Sequence, residues 1–406
     1  MKILIYGVNC SPELTGVGKY TGEMATWLSK HGHEIRVITA PPYYPEWKVR
    51  ADYSAWRYKR DQIDNCEIYR CPLWVPKIPS PGKRIVHLLS FVLSSLPVLL
   101  VQAIWRPAIV IVVAPTLLCA PTGLVVARLA RARAWLHIQD FELDIVKELR
   151  MIKSKKLLYL VGKLESLLLK RFDRVSTISA NMVEVLGEKG VRPEKRVIFP
   201  NWVDTRVIQP IDGKNELRTT LGIGEDVIVL QYAGNIGEKQ GLDVIIESAR
   251  RFVTRRDILF VLVGTGAARQ RLTQIGHNLT NIRWLPLQPV DKFNELLNVA
   301  DIHLLPQQIG TESAVMPSKL TGMLASGRPI VAMATGDTSI ARAVAGCGLV
   351  TQPGDLEAFV EAITELISNK ERRIELGRRA REHAVKYLDM NKIMQDFESD
   401  MRAMMP

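Results

Sequence analysis

Cysteine is scarce and unpaired in this sequence: five occur in 406 residues, at positions 10, 66, 71, 119 and 347. No two are spaced C-x-x-C, and none has a histidine at zinc-site distance. A zinc ribbon and a disulfide framework are thereby excluded, and the thiols read as reduced side chains of a cytosolic protein. The N-terminus lacks a long apolar run. "MKILIYGVNCSPELTG" offers one lysine and a six-residue apolar strand, too short for the core of a signal peptide. The composition also lacks the bias of a disordered chain, since 47% hydrophobic and 24% charged residues are ordinary globular values. What the first half lacks is acid. Residues 1–200 carry 30 Lys and Arg against 17 Asp and Glu, whereas residues 201–406 carry 24 against 25. The basic excess of one half predicts a polyanionic partner, either nucleic acid or an anionic membrane surface. No nucleic-acid-binding module and no basic–aromatic platform is present, which disfavours nucleic acid.

The length suggests two to three domains, each able to bury its own core. Apolar runs at 2–8, 34–40, 108–114, 134–138 and 174–179 alternate with helical patterns at 19–31, 84–104, 121–131, 155–171 and 180–189. A second series of runs follows at 226–234, 258–264, 282–287, 301–306 and 329–333. Runs of this length separated by helices predict parallel sheets covered on both faces. "FPNWVDTRVIQP" (199–210), with prolines at both ends, is the natural link. The expected fold is α/β, with two doubly wound, Rossmann-like domains facing a central cleft at the carboxyl ends of their strands. The domains are placed at 1–205 and 206–385, with a C-terminal helix over 386–406 that returns to the first.

Several loops carry candidate chemistry. "SPELTGVGKYTGE" follows the first strand with Gly16, Gly18 and Gly22 spaced G-x-G-x-x-x-G. A dinucleotide fingerprint requires G-x-G-x-x-G directly after the strand, so an oxidoreductase reading is poor. These glycines still permit a phosphate or sugar to approach the backbone, and a purely structural turn explains them equally well. In the second half, "YAGNIGEKQGL" supplies Gly234, Asn235, Lys239, Gln240 and Gly241, and "VGTGAARQRL" supplies Gly264 and Gly266. No acidic residue follows at the position that would bind an NAD ribose. "ESAVMPSKLTGMLASGRPIV" (312–331) then places Pro317, Ser318, Lys319 and Leu320 at the start of a short helix. The positive end of a helix dipole favours anions, so a lysine there points to an anion that needs both; an exposed lysine reaching for water is the bland alternative. Glycine and lysine loops at three successive strand ends favour a diphosphate.

"LHIQDFELD" ends a first-half strand with Asp140, Glu142 and Asp144. Carboxylates there orient a substrate hydroxyl or act as a base; the competing account is an N-cap cluster for the next helix. His137 lies inside the strand pattern and is expected to be a packed core side chain. Residues 83–105 are nearly long enough to cross a bilayer. His87, three serines, Pro97 and the strand that follows favour a buried or interfacial helix instead. "KSKKLLYLVGKLESLLLKRF" (153–172) alternates lysine with leucine. That pattern suits a helix on an acidic membrane surface, although a helix covering a sheet has the same look.

Taken together, "ILIYGVNCSPELTGVGKYTGEM", "TAPPYYPEW", "YSAWRYKR", "GNIGEKQGL" and "PSKLTGMLASG" resemble the two-domain (GT-B) glycosyltransferases of the family-4 type, and among them the enzymes of colanic-acid exopolysaccharide synthesis. The resemblance covers essentially the whole chain. It implies a nucleotide-activated sugar held mainly by the second domain, an acceptor held by the first, retention of anomeric configuration, and neither a metal nor a cofactor. It gives Gly16 and Gly18 the loop facing the sugar donor's diphosphate. Lys239 and Lys319 become the bases that neutralise that diphosphate, and Leu287 the loop residue at the nucleobase. Asp140 matches the aspartate of a His-Asp pair, with Glu142 beside it as a further catalytic candidate. Asn235, Gln240, Gly264, Glu312, Pro317, Ser318 and Leu320 complete the donor-binding set. Three departures stand out. Two glutamates of the family fall on Ala314 and Gly322, with Glu312 near the first; the paired histidine becomes Gln139; and a common arginine becomes Asn235. By the same resemblance the donor is GDP- or UDP-linked, with GDP-fucose favoured. The acceptor is an undecaprenyl-diphosphate-linked saccharide, and the site of action is the cytoplasmic face of the plasma membrane, held peripherally. A sugar-nucleotide epimerase of the same architecture and a non-catalytic membrane-associated assembly protein with a vestigial donor site are the rivals.

Overall fold

The computed structural model describes residues 1–406 apart from 15, 79, 115–116, 142–153, 212, 214, 309–316, 337 and 406, with the backbone alone at 81, 155, 157 and 239. Two compact units emerge: Met1–Pro200 together with Met394–Pro406, and Asn201–Ile393.

In the first unit the apolar runs become strands β1 (Lys2–Tyr6), β2 (Glu34–Thr39), β5 (Ile109–Ala114), β6 (Arg133–Ile138) and β7 (Arg174–Thr177). Three strands lie outside the apolar pattern: β3 (Lys59–Ile63), β4 (Cys66–Arg70) and β8 (Arg196–Ile198). The sheet order is β3-β4-β2-β1-β5-β6-β7-β8, parallel except for the antiparallel β3–β4 pair. β3 reads KRDQI and was invisible to a hydrophobic criterion because it is a charged edge. Asp61 accepts Arg70 Nε at 3.1 Å, and Arg60 meets Glu67 at 2.7 Å; charge on an edge strand discourages further pairing.

Helices α1 (Gly16–Lys30), α2 (Pro81–Trp105), α3 (Cys119–Ala130), α4 (Lys155–Leu169) and α5 (Ala180–Glu188) cover the sheet. Right-handed crossovers set α1 on one face and α2, α3 and α4 on the other. Accordingly, Tyr6 Oη lies 2.9 Å from Ser95 Oγ of α2 and 3.4 Å from Thr122 Oγ1 of α3. α2 is not wholly buried. His87, Phe91, Ser95, Leu99 and Gln102 face the sheet, while Ile85, Leu89, Leu93, Leu100 and Ile104 form an exposed apolar stripe. The apolar outer stripe, added to Phe91 and Leu99 on the inner face, makes the run read as a membrane-spanning length although its inner face, with His87, Ser95 and Gln102, packs on protein.

In the second unit β9 (Ile228–Ala233), β10 (Ile258–Val263), β11 (Ile282–Leu285), β12 (Ile302–Leu305), β13 (Ile330–Met333) and β14 (Gly348–Thr351) form a parallel sheet ordered β11-β10-β9-β12-β13-β14. β14 (GLVT) was not marked because it is a half-exposed edge strand with only Leu349 and Val350 apolar, too few for a hydrophobic run. The division between units falls at 200/201 rather than 205/206. From 201 on, the expected link belongs to the second unit: Val203 N–H donates to Leu388 O at 2.9 Å, and Val203 and Ile208 sit in a core with Leu305 and Ala380. From Met394 on, the C-terminal helix Met390–Ala403 counts with the first unit, where Phe397 stacks on Phe199 at 4.0 Å and meets Trp135 edge-on at 4.8 Å.

Candidate functional site

The order of a doubly wound sheet reverses at one point, and a crevice opens there beyond the carboxyl ends of the two flanking strands. In the second unit those strands are β9 and β12. β9 delivers Tyr232, Gly234 and Asn235, and the chain beyond β12 delivers Gln307 and Lys319. Lys319 opens the helix Lys319–Ala325, but its side chain turns back to the neighbouring strand end. Its Nζ donates to Tyr232 Oη at 2.7 Å and lies 4.1 Å from the ring centroid. The Tyr232 hydroxyl in turn donates to the Asn235 carbonyl at 2.6 Å. Gly234 admits this arrangement: a Cβ there would lie 3.3 Å from Lys319 Cδ. Its φ of 149° is also backbone that a side chain rarely adopts.

Burial lowers the Lys319 pKa to about 7, because a desolvated ammonium loses its hydration and, among the described residues, has a phenol but no carboxylate beside it. The same burial raises the Tyr232 phenol, so it remains a neutral hydrogen-bonding group. An approaching anion would restore the charge of the lysine. Two arginines near this end are differently engaged: Arg271 pairs with Glu238 and Asp243 at 2.7 and 2.5 Å, and Arg269 donates to the Gly264 carbonyl.

The glycine loops close on one another. Gly264 has φ 140°, and a Cβ on it would clash with the Gly234 carbonyl at 1.9 Å. A Cβ on Gly266 would meet the Ile236 carbonyl at 2.2 Å and Asn235 Oδ1 at 2.7 Å. Gly241 abuts Gln307 and Gln308 at 3.0–3.3 Å. Asn235, Gly264 and Lys319 are therefore brought together, beside Gly241. Gln240 Oε1 accepts the Gly237 N–H at 3.1 Å and so braces the loop. Leu287 stands 47% exposed beyond β11. Pro317 and Ser318 lie at the surface ahead of Lys319, whereas the Leu320 side chain is fully buried in the core, leaving only its backbone for a ligand. Glu312 and the side chain of Lys239 lie outside the described residues. At Gly322 a Cβ would meet Leu297 at 3.2 Å and Phe293 at 3.6 Å, so apolar side chains line the position to which the resemblance assigned a glutamate.

Sequence reasoning missed Tyr232 and Gln307. Tyr232 hides inside an apolar strand pattern, and only its place at the β9 end distinguishes it. Gln307 Oε1 is buried with no hydrogen-bond partner in the described structure, at the switch point itself.

In the first unit the switch point lies between β1 and β5. The loop beyond β1 is organised by Glu13, 5% exposed, whose Oε1 accepts the Tyr43 and Tyr44 backbone N–H groups at 3.1 Å each and whose Oε2 accepts Asn9 Nδ2 at 2.9 Å. Burial pushes this carboxyl up, and those donors pull it part of the way back. Gly18 is a helical residue of α1 packed on that carboxylate: a Cβ would lie 2.4 Å from Glu13 Oε2. Gly18 thus serves close packing rather than an open loop, while Gly16, the first residue of α1, has clear space beside it. Glu13 was missed because one acid in a glycine-rich segment looks like solvent-facing polarity.

Asp140 follows β6. Its charge, with burial as the larger cause and Arg84 opposing, raises the Tyr44 phenol, which places Asp140, Tyr44 and Arg84 within electrostatic reach of one another. Beside them Tyr43, Trp47 and His87 form an aromatic cluster with centroids 4.8–5.7 Å apart. Glu142 lies outside the described residues. His137 is 3% exposed, bonded to Ser176 Oγ at 2.9 Å and to Gln139 at 3.2 Å, with its pKa lowered to about 3 by burial. It is a neutral core side chain. All five cysteines are unpaired and buried. Among the described residues no group of three His, Cys, Asp or Glu side chains is placed to hold a metal.

Residues 15–202 match the family described as "Glycosyl transferase 4-like domain", and residues 227–369 that described as "Glycosyl transferases group 1". The chain is 42% identical to WcaI of Escherichia coli K12, a protein named for colanic acid biosynthesis glycosyl transfer, over 99% of this chain and 100% of that one. Its fold is similar to sucrose-phosphate synthase from Thermosynechococcus elongatus, at TM-score 0.75, 15% identity and 99% and 98% coverage. It is also similar to Anabaena HepE solved with UDP and glucose, at TM-score 0.73, 15% identity and full coverage of both chains.

Proposed function

The chain belongs to the GT4-type glycosyltransferases of GT-B fold, and from that premise we propose that it moves a sugar from a nucleoside-diphosphate donor to a saccharide acceptor in the assembly of a colanic-acid-like exopolysaccharide. The observation that carries this reading is the Lys319 ammonium held by Tyr232 at the β9–β12 switch point, beside glycines too tightly packed to bear side chains. When the bond from the sugar carbon to the diphosphate breaks, negative charge grows on the leaving oxygen. A prepositioned cation in a partly desolvated site stabilises that charge strongly. Asn235, Gly264 and the Pro317–Ser318 turn present polar groups and backbone to the same ligand, and Leu287 supplies an apolar edge for a base.

The acceptor reading rests on Asp140. It orients the acceptor hydroxyl and takes its proton, while Tyr44, Arg84 and the Trp47 ring offer hydrogen bonds and a stacking face to a sugar. Retention of configuration, GDP-fucose as donor and a lipid-diphosphate-linked acceptor complete the proposal, together with work at the cytoplasmic membrane surface. The exposed stripe of α2 supports the membrane part, as do Tyr159, Leu160, Leu164 and Leu167 exposed on α4 beside Lys156 and Lys163. Helices with apolar outer faces flanked by lysine lie in the interface of anionic bilayers.

The test is thermal stabilisation of the full chain by GDP, UDP, ADP and dTDP at equal concentrations, followed by transfer from the matching sugar nucleotide. Binding to the folded state alone raises the midpoint by mass action. A selective shift with GDP supports fucose among the donors, and a shift with UDP discards it. No shift with any nucleotide overturns the donor site and leaves the assembly-protein reading.

A further inference from the structure

A second concavity lies in the first unit, at the opposite end of the sheet from Asp140. Its volume is about 580 Å³, and it is lined by four arginines, Arg128, Arg131, Arg133 and Arg171, against the single acid Asp173. Arg133 opens β6, so the cavity is separated from the Asp140 end by the length of that strand, roughly 17 Å at 3.3 Å per residue.

Asp173 is already engaged. It accepts the Ala134 N–H at 2.8 Å and lies 3.6 Å from Arg133 Nη1. Arg133 also donates from Nε to the Met404 carbonyl at 3.0 Å, which fixes the C-terminal segment as one wall. Arg128, Arg131 and Arg171 remain, exposed and, among the described residues, with no carboxylate paired to them. The negative end of α3 favours cations at Arg128 and Arg131. It does not account for Arg171, which comes from the turn after α4, or for Arg133 at a strand start. Like charges from two stretches of the chain, 128–133 and the turn at 171, converge on a concave surface floored by Leu124 and alanines. That arrangement is unfavourable unless an anion joins it. Planar guanidiniums grip tetrahedral oxyanions in pairs.

We propose that this arginine-lined cavity binds a phosphate-bearing anion, a diphosphate or a phospholipid headgroup, independently of the sugar-nucleotide site. The proposal stands whether or not the donor reading does, since the two share no residue.

The test uses the full chain and three variants: R128Q/R131Q/R171Q, which leaves Arg133 and its structural bonds intact; R250Q/R256Q/R379Q, which removes the same charge at exposed positions of the second unit; and K319A, which disables the candidate donor site. Inorganic pyrophosphate is titrated calorimetrically, and vesicles of phosphatidylglycerol in phosphatidylcholine are co-sedimented in parallel. The expected result is a loss of at least tenfold in one arm for the first variant alone. If pyrophosphate is the affected arm the ligand is soluble; if only the vesicles are affected it is a headgroup. Binding unchanged in the first variant in both arms overturns the proposal, as does an equal loss in the charge-matched variant. The single variant R171Q, at an exposed turn, keeps the test decisive should the triple variant fold poorly. It should lose at least threefold in the same arm, and no loss counts against the site. Retention in K319A separates this site from the donor crevice.

Discussion

Lys319 Nζ and Tyr232 Oη lie 2.7 Å apart, and the hydroxyl directs its own proton to the Asn235 carbonyl. The lysine must therefore be the donor in this pair, which commits one of its three protons and leaves two for a ligand. Among the described residues a phenol is the only hydrogen-bond partner of this side chain, which burial has made reluctant to stay charged.

Replacing Lys319 with Met should lower turnover by roughly a hundredfold or more, the scale of losing one charge-stabilising group. The same substitution should raise the melting temperature of the unliganded protein, because a buried ammonium is exchanged for an apolar chain of similar length. About 2–4 °C per kcal/mol is expected for a unit of this size. Near-normal turnover would remove Lys319 from the site.

Affinity for a nucleoside diphosphate should be flat below pH 7 and weaken as pH rises above it, by at most about tenfold per unit. The sign follows from a pKa lowered to about 7 in the free site and raised again by the bound anion. In the unliganded protein the unfolded lysine still holds its proton between pH 7 and 10, where the folded one has released it. Stability should therefore rise with pH across that window. Both trends should vanish in K319M, and calorimetry at pH 6.5 and 8.5 checks them.

Tyr232→Phe keeps the ring but removes the hydroxyl that positions Lys319 and satisfies Asn235. Donor affinity should fall about tenfold, in line with the cost of unpairing a buried polar group, with the fold retained. If affinity and its pH dependence both match the wild type, Tyr232 does not position the lysine.

Gly18→Ala would press a methyl group against the Glu13 carboxylate. The expected loss is about 1–3 kcal/mol of stability, the scale of overpacking. Nucleotide affinity of the folded fraction should be unchanged, since the packing role lies in the first unit. A selective loss of nucleotide affinity with normal stability would instead return Gly18 to the donor loop.

Exchanging Leu93 and Ile104, 68% and 82% exposed on α2, for serine should leave the melting temperature within about 2 °C, as exposed substitutions usually do. Sedimentation with anionic vesicles should drop severalfold. Undiminished vesicle binding would show that this stripe is not the membrane contact.

Much of this architecture was legible in the residues because burial on both faces forces continuous apolar strands. β1, β5, β9, β10 and β12 could be marked from Ile, Leu and Val alone. The charged β3 and the four-residue β14 could not, since an edge strand is stabilised by its partner rather than by its own apolarity. The glycine loops and Lys319 announced a phosphate site through residue type and position. Their division of labour did not show: Gly16 and Gly18 look alike in sequence, yet one borders open space and the other is clamped on Glu13.

By itself, then, the sequence determined the alternation of strands and helices, the two units, the basic bias of the first, and the loops that could meet an anion, because these follow from local periodicity and charge. Only the tertiary structure decided that Tyr232 holds Lys319, that Glu13 ties Asn9 to the Tyr43–Tyr44 turn, and that Arg171 joins the arginines of 128–133 in one cavity. Such contacts join residues up to 87 positions apart, and hydrogen bonding and desolvation act through distance in space, which no local pattern records.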